Sequence, residues 1–485
     1  MLQELNLFYH YPSIFWNTAV LEVESGSVEQ ETEVEDKQTK EKGTNYGAMA
    51  TAISNLQQHG VKVVPPHINQ AQVGFKADVE KNEILFGLKG ISRINLETAK
   101  IIIDHRPYAS LNDFCERLVW TKREVQTTGG KVQQKAYLTN AQVVALIKAG
   151  AFDELEGKPR EAIMSEFLKT FFEGKKQLNQ TLLMEMAEQN LLPPDLETEI
   201  KCFNFREFVR QLPKEADLKT KSLQWATFHT NNPDLDAYAE TFFQTHLMDE
   251  LEEGRDYRYH EAGHLQVAIG TTRKGSFEAV MKTKLIPLQQ WFTSDQGLVK
   301  YNEYLFNLHQ QKHAKGTISS WEMEVMGFYY HEHEVSVVSK EIHQLSDYQT
   351  LPETPTIVGY HTYKNIQYPK YQLSRIIGCV LDRNTTKHTV SLLTESGVVK
   401  VKFHAGAFAH YDKAITTFTP TGEKVLVEES WFKKGTLLII TGYRLDTMFR
   451  PKVYKDTPFK HTVERILDIQ DNGNQVAIQQ ERTQV

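Results

Sequence analysis

Cysteine is scarce: Cys115, Cys202 and Cys379 are the full complement of 485 residues. They stand far apart, which excludes both a disulfide framework and a CxxC zinc pair and suits a reducing cytoplasm. Long apolar runs are also lacking. No window approaches the roughly 18 residues of a membrane span, and the start, MLQELNLFYHYPSIFW, has neither the basic nor the apolar stretch of a signal peptide. A cytoplasmic protein with no membrane partner is expected. Charge of one sign is missing too, since 55 Lys+Arg against 62 Asp+Glu leave −7. That average hides a division, because nucleic-acid contact needs local basic surface rather than a basic mean. From Thr356 onward there are 18 Lys+Arg and 12 Asp+Glu, so the tail carries +6 and the rest −13.

The length suggests three or four domains of about 100 to 200 residues. Glu22 to Lys42 holds eight acids and three lysines and almost nothing apolar, the texture of a solvated insertion. On either side, FYHYPSIFWNTAVL and YGAMATAISNLQQH have helical spacing, the second stopping at Gly60. VKVVPPHIN reads as a short strand ended by a double proline. Short helices then alternate with tight turns as far as Leu168. Residues 169–350 form a mixed, mainly helical stretch with no legible role. From Thr356 the runs RIIGCVLD, HTVSLLT, VVKVKF, KVLVEES and GTLLIITGYR predict about five strands separated by turns, the pattern of a small Greek-key barrel of the OB type. The expected fold class is a multi-domain α+β protein: mainly helical N-terminal two thirds with helix-hairpin-helix units, then a C-terminal all-β OB-type barrel.

Gly87 to Arg106, GLKGISRINLETAKIIIDHR, carries the most information. It reads as a short helix, a tight Arg93-Ile94-Asn95 turn and a second helix with Leu96, Ala99, Ile102 and Ile103 on its apolar face. In such a helix-hairpin-helix unit, the turn and the following helix N-terminus aim backbone N–H groups at one DNA phosphate. Lys89, Ser92, Arg93, Ile94, Asn95 and Lys100 are the candidate DNA-binding residues. Glycine usually flanks this turn. Asn95 tolerates a left-handed conformation in its place, whereas Arg93 fits less comfortably and offers its side chain to phosphate instead. The segment alone also suits an ordinary helical hairpin packed in a core.

The order YPSIFWNTAVL, NYGAMATAISNLQQHGVKVVPPHIN, ILFGLKGI, RPYASLNDFCERL, LIKAGAFDEL and EVMGFYYHEH resembles the C-terminal half of the alpha subunit of bacterial DNA polymerase III, a C-family replicative polymerase. RIIGCVLDRNTTKHTVSLLTESGVVKVKF looks like the OB domain that follows there. The resemblance covers nearly all the chain except the acidic insertion and roughly 170–310. It implies a C-terminal part of polymerase fingers over 1–75 with the insertion at 22–42, and a tandem helix-hairpin-helix domain over 76–168. A mixed linker domain over 169–350, an OB domain over 356–470 and a tail over 471–485 follow. The family's hPPxIN element is met by Pro65, Pro66, Ile68 and Asn69, its second hairpin by Leu146 to Asp153, and its LGFYLSGHP element by Met326 to His333, with Glu334 where proline is usual.

Family polymerases hold two magnesium ions on three palm carboxylates, and the palm precedes the fingers. No catalytic residue, metal ligand or cofactor is therefore expected on this chain, and magnesium is expected only at the palm of a partner chain. Three motifs mimic chemistry that their context does not support. Pro233-Asp234-Leu235-Asp236 mimics the palm signature but lies after the hairpins, so its acids are expected to cap a helix. His331-Glu332-His333 lacks a third ligand and reads as an exposed polar turn. Gly157-Lys158-Pro159 has neither the spacing nor the hydroxyl of a phosphate loop.

In the tail, Arg383, Lys387, Lys400, Lys402, Trp431, Lys433, Lys434, Arg444, Arg450 and Lys452 are the candidate barrel residues for single-stranded DNA. OB barrels stack bases on aromatics while basic side chains follow the backbone, although any one ring also suits the barrel core. The expected function is the DNA-binding portion of a bacterial, phage or prophage C-family polymerase that grips duplex and single-stranded template, its palm on a separate chain. The resemblance also offers a sliding clamp as a partner, without a recognisable clamp peptide. Such a chain would not be active alone. A stand-alone DNA-binding accessory protein derived from a polymerase is the alternative.

Overall fold

The computed structural model describes residues 12–27, 43–126, 132–170, 178–217, 223–363, 365–418, 424–470 and 473–483. Most of the acidic insertion, residues 28–42, lies outside them. The chain divides into two compact units, one of residues 1–166 with 314–485 and one of residues 167–313.

In the first unit, helices Ser13–Ser25 and Tyr46–Gln58 lead to a small sheet of β1 (Lys62–Val64), β2 (Lys76–Asp78) and β3 (Glu83–Leu85), in which β3 lies between the other two. Asn45 caps the second helix by accepting from the Ala48 amide at 3.1 Å. The helix-hairpin-helix segment follows, with helix Leu96–Asp104 and then Leu111–Cys115. A free-standing ribbon of β4 (Lys122–Gln126) and β5 (Val132–Ala136) precedes helices Asn140–Lys148 and Arg160–Lys169. Aromatic rings supply the core of this part. Tyr108 meets Phe114 at 4.8 Å and Phe114 meets Phe152 at 5.2 Å, edge to face, so one ring stack joins both hairpin units.

The second unit is richer in strands than a mainly helical reading of 169–350 anticipates. Strands β6 (Lys214–Ala216), β7 (Gln224–Thr227), β8 (Tyr257–Tyr259) and β9 (Leu265–Ile269) form an antiparallel sheet in the order β6-β7-β9-β8. Helices Glu197–Gln211, Pro233–His246 and Phe277–Lys284 close over it with Phe205, Phe228, Phe243 and Phe277 in the core. Here β9 is buried along its whole length, so it lacks the alternation that marks a half-exposed strand in sequence. Residues 314–350 group with the first unit, not with this one.

The C-terminal part is an OB barrel. A hairpin of β10 (Ile357–Tyr363) and β11 (Ile366–Tyr371) comes first. Then β12 (Ser374–Asn384), β13 (Thr389–Thr394) and β14 (Gly397–Lys402) run antiparallel in succession. After helix Ala405–Asp412 and a side hairpin of β15 (Ile415–Phe418) and β16 (Lys424–Glu428), the barrel resumes with β17 (Leu437–Leu445) and β18 (Met448–Pro451). Parallel pairing of β14 with β18 and antiparallel pairing of β12 with β17 close it. The run KVLVEES is thus the side hairpin, and the fifth barrel strand is the four-residue β18, too short for an alternation signal. Residues after 470 add β20 (Gln475–Gln479) to the edge of β19 (Val463–Gln470), which itself pairs with β17.

Candidate nucleic-acid interface

The first hairpin is built with its special backbone at Arg93, not at Asn95. Arg93 has φ 68°, the left-handed region, while Asn95 is extended and caps helix Leu96–Asp104, its side-chain Oδ1 accepting from the Thr98 amide at 2.8 Å. The expectation that Asn95 replaces the turn glycine is therefore corrected: its side chain is needed at the helix start, where an Asx cap stabilises by about 1 kcal/mol. Arg93 stays exposed at the turn, and Gln142 from helix Asn140–Lys148 donates to its carbonyl at 3.2 Å and to the Thr98 hydroxyl at 3.1 Å. This places the N-termini of two helices side by side, a surface of positive dipole ends. Lys100 is exposed and Ser92 half-buried, its amide donating to the Val325 carbonyl. Lys89 and Ile94 are buried, so their side chains belong to the core and not to a DNA-facing surface.

The PPHIN element ties the two hairpin units together. Ile68 donates its amide to the Ala151 carbonyl of the second unit, while the Asn69 side chain makes a reciprocal pair with the Tyr108 backbone, both bonds at 2.9 Å. Only a side-chain amide offers a donor and an acceptor at that spacing, which explains an asparagine there. In the second hairpin unit Gly150 has φ 82°, and a Cβ would strike the Arg160 guanidinium.

The element Glu322 to His333 fixes these hairpins to the barrel. Glu322 is fully buried and accepts from Arg160 Nη1 at 2.9 Å and from the amides of Tyr330 and His331 at 2.9 Å. His331 Nδ1 lies 2.7 Å from the same carboxylate. Beyond it, Phe328 stacks on Phe86 at 5.5 Å, and His333 Nε2 donates to the barrel carbonyl of Leu393 at 3.0 Å while Nδ1 accepts from Val335. Both His333 nitrogens are thus engaged, and burial pushes its pKa down to about 4. His331 and Glu332 are exposed, yet the two histidines act as a clasp: His331 meets Glu322 nine positions earlier and His333 reaches Leu393, 60 positions later, a pairing that no local pattern reveals. Glu334 accepts from Thr317 and Tyr329 hydroxyls, which gives this departure from the family's proline a job. The other decoy resolves similarly. Asn232 is the cap of helix Pro233–His246, and Asp234 and Asp236 occupy its first turn, Asp236 accepting from Thr230. Among the described residues, no group of three His, Cys, Asp or Glu side chains could hold a metal ion.

The barrel candidates separate into three places. Lys387, Lys400 and Lys402 stand together: Lys400 and Lys402 point outward from β14 between the inward Val399 and Val401, and Lys402 Nζ reaches the Lys387 carbonyl. Arg383 and Lys433 lie elsewhere and are held by carboxylates, Arg383 by Asp412 and Lys433 by Glu429 at 2.6 Å. Arg444, Arg450 and Lys452 flank the end of β17–β18, Arg444 being bound to Glu353 at 2.8 Å. Two candidates are corrected. Trp431 is completely buried, with Nε1 donating to Glu428 at 2.6 Å, so its ring fills the barrel and cannot stack on a base. Lys434 packs its ammonium 3.5 Å from the centre of the Tyr46 ring and donates to the Glu324 carbonyl at 3.2 Å. It joins the barrel to the N-terminal helices, and burial lowers its pKa to about 8.

A family model described as a helix-hairpin-helix motif matches residues 60–128. The whole chain is 34% identical over 484 residues to a probable DNA polymerase YorL of Bacillus subtilis strain 168, and equally to a DNA-directed DNA polymerase of Bacillus phage SPbeta. A DNA polymerase III subunit alpha of Aquifex aeolicus is 34% identical over 131 residues, 26% of this chain and 10% of that protein. This chain resembles part of a C-family DNA polymerase. It spans about a third of the length of the two Bacillus relatives it matches throughout. Among the described residues no helix is long and apolar enough to cross a membrane.

Proposed function

We propose that this chain is the DNA-holding portion of a C-family replicative polymerase, gripping duplex at its helix-hairpin-helix units and single-stranded template at its barrel. The observation that carries the reading is the clasp around Glu322: one buried carboxylate binds the second hairpin unit through Arg160, while the same element reaches the first through Ser92 and the barrel through His333. Two surfaces of different nucleic-acid preference, locked into one unit, suit a protein that holds the junction between duplex and single strand. The contribution is positioning. The bond-making palm carboxylates, with the magnesium they hold, would lie outside these 485 residues, in keeping with the family order.

Binding of labelled duplex, single strand and a primer–template junction, followed by fluorescence anisotropy, tests the reading. The junction is expected to bind at least tenfold tighter than either part, since linked sites act as one. Equal affinity for all three would remove the proposed division of labour. Primer extension with magnesium is expected from a mixture with a palm-bearing chain and not from this chain alone; robust extension by it alone would overturn the placement of the chemistry.

A further inference from the structure

The exposed rings of the C-terminal part do not lie where an OB barrel is expected to present them. Phe403, Phe408, Trp431 and Phe432 are all buried in its core. The hairpin β10–β11 instead carries Tyr360 at 61% and Tyr368 at 41% exposure. It is pinned beside the segment that follows β18: the Tyr371 amide donates to the Tyr454 hydroxyl at 3.0 Å, and Lys370 pairs with Asp456 at 2.6 Å.

Between hairpin and segment runs a groove of about 680 Å³ lined by His361, Tyr368, Lys370, Lys452, Tyr454 and Lys455 among others. His361 stands 5.7 Å from Tyr368 and 6.0 Å from Tyr454, ring centre to ring centre, so three rings follow one another along it. Lys452 and Lys370 hold their ammonium groups 5.7 and 6.0 Å from the Tyr454 ring. His361 Nδ1 is enclosed and has no hydrogen-bond partner. Against the three lysines of the lining stands one acid, Asp456, already engaged by Lys370.

We infer that this groove is a second seat for a single-stranded polynucleotide, separate from the Lys387–Lys400–Lys402 side of the barrel. Bases would stack on Tyr368, His361 and Tyr454, and phosphates would pass Lys452 and Lys455. Rings in file flanked by ammonium groups match the alternation of flat base and anionic phosphate, and base faces are open to protein rings only when a strand is unpaired. An aliphatic peptide would leave the lysines unmatched. The inference rests on the nucleic-acid reading above and adds a location to it.

The test uses the full chain with labelled oligo-dT and oligo-U of 20 nucleotides, and duplex as a control. Tyr368→Ala combined with Lys452→Ala changes two exposed side chains and leaves the Tyr371–Tyr454 bond in place. It is expected to weaken single-strand binding about tenfold or more, to make the salt dependence shallower and to leave duplex affinity unchanged. Loss on both oligonucleotides assigns the seat to any single strand, and loss on oligo-dT alone to DNA. Unchanged single-strand affinity in the variant overturns the seat while sparing the general reading; failure of the unaltered chain to bind any nucleic acid removes both. Cross-linking of iodouracil-substituted oligonucleotide to Tyr368 or Tyr454 is the expected second readout. Displacement by oligoglutamate of a strand that cross-links elsewhere would give the groove to an acidic peptide instead and overturn the assignment.

Discussion

The first hairpin and the barrel were both expected to touch DNA, yet they differ in which atoms they offer. At the hairpin the elements are a backbone turn and a helix N-terminus, set by Arg93 in a left-handed conformation and by the Asn95 cap. Little depends on any single side chain there. At the barrel, contact depends on which way each side chain turns, set by strand register along β14 and by the connecting loops for Trp431, Lys434 and Tyr454. Trp431 and Lys434 point to partners within the protein, whereas Tyr368 and Tyr454, on elements outside the closed barrel, line a groove. A backbone site survives substitution and stays readable; a side-chain site moves with the pleat.

The difference is most sharply tested by cutting the link between the two regions. Glu322→Ala leaves Arg160 with Asp153 as its remaining carboxylate partner and removes the acceptor of the Tyr330 and His331 amides, and breaking such a buried network costs about 3 kcal/mol. Hydrogen exchange over residues 318–333 is expected to accelerate accordingly, and the preference for a primer–template junction to vanish while duplex and single strand each still bind. Retained junction preference in a variant with lost protection would show that the clasp does not couple the sites.

Within the barrel, the largest expected effect lies far from its surface lysines. Arg482 is buried against Glu428 and donates to the carbonyls of His410 at 2.9 Å and Tyr411 at 2.8 Å, latching the C-terminal strand to the fold. Burial opposes ionisation of Glu428, but hydrogen bonds from Thr483 and the charge of Arg482 outweigh it and hold its pKa at about 2, below the ordinary 4.5. A depressed carboxylate pKa contributes stability that is complete above 4.5 and is lost as pH falls towards 2. Thermal unfolding of the barrel is expected to drop across that window, and Glu428→Gln to flatten the drop. Arg482→Ala is expected to cost about 3 kcal/mol near neutral pH. An identical acid profile in Glu428→Gln would place the sensitivity elsewhere.

Those two networks also mark the limit of sequence reading. Helix stops and most barrel strands are legible because their determinants are local, such as Gly60 and Gly150 after helices and the alternation along β14, whereas Asn95 reads as a turn residue and proves to be a helix cap. Glu322 and Arg160 are 162 positions apart and Glu428 and Arg482 are 54 apart, so their pairing is a property of the fold and leaves no spacing to read. The four-stranded sheet of the second unit is hidden for a different reason: β9 is buried on both faces, Gln266 included, so burial leaves no alternation to read.

At the hairpin itself a smaller effect is expected. Asn95→Ala removes the bond to the Thr98 amide and costs about 1 kcal/mol of local stability. Duplex affinity is expected to fall severalfold and single-strand affinity to stay constant, the mirror image of the Tyr368 and Lys452 pair. A parallel loss on both ligands would mean that the hairpin supports the fold without touching duplex.

The smallest effect separates two neighbours that look alike in sequence. Lys433 is exposed and paired with Glu429 four residues earlier, an arrangement worth about 0.5 kcal/mol or less. Lys433→Ala is therefore expected to change neither stability nor strand affinity by more than about twofold. Lys434 is engaged by the Tyr46 ring and the Glu324 carbonyl, contacts that Ala cannot make. Because burial lowers its pKa to about 8 from 10.5, the folded state favours the uncharged amine relative to the unfolded chain, so stability is expected to rise as pH passes from 8 towards 10.5. Lys434→Met is expected to abolish that rise and Lys433→Met to keep it. A rise surviving Lys434→Met would show that the amine next to Tyr46 is not the titrating group, and the barrel's junction with the N-terminal helices would then be insensitive to this charge.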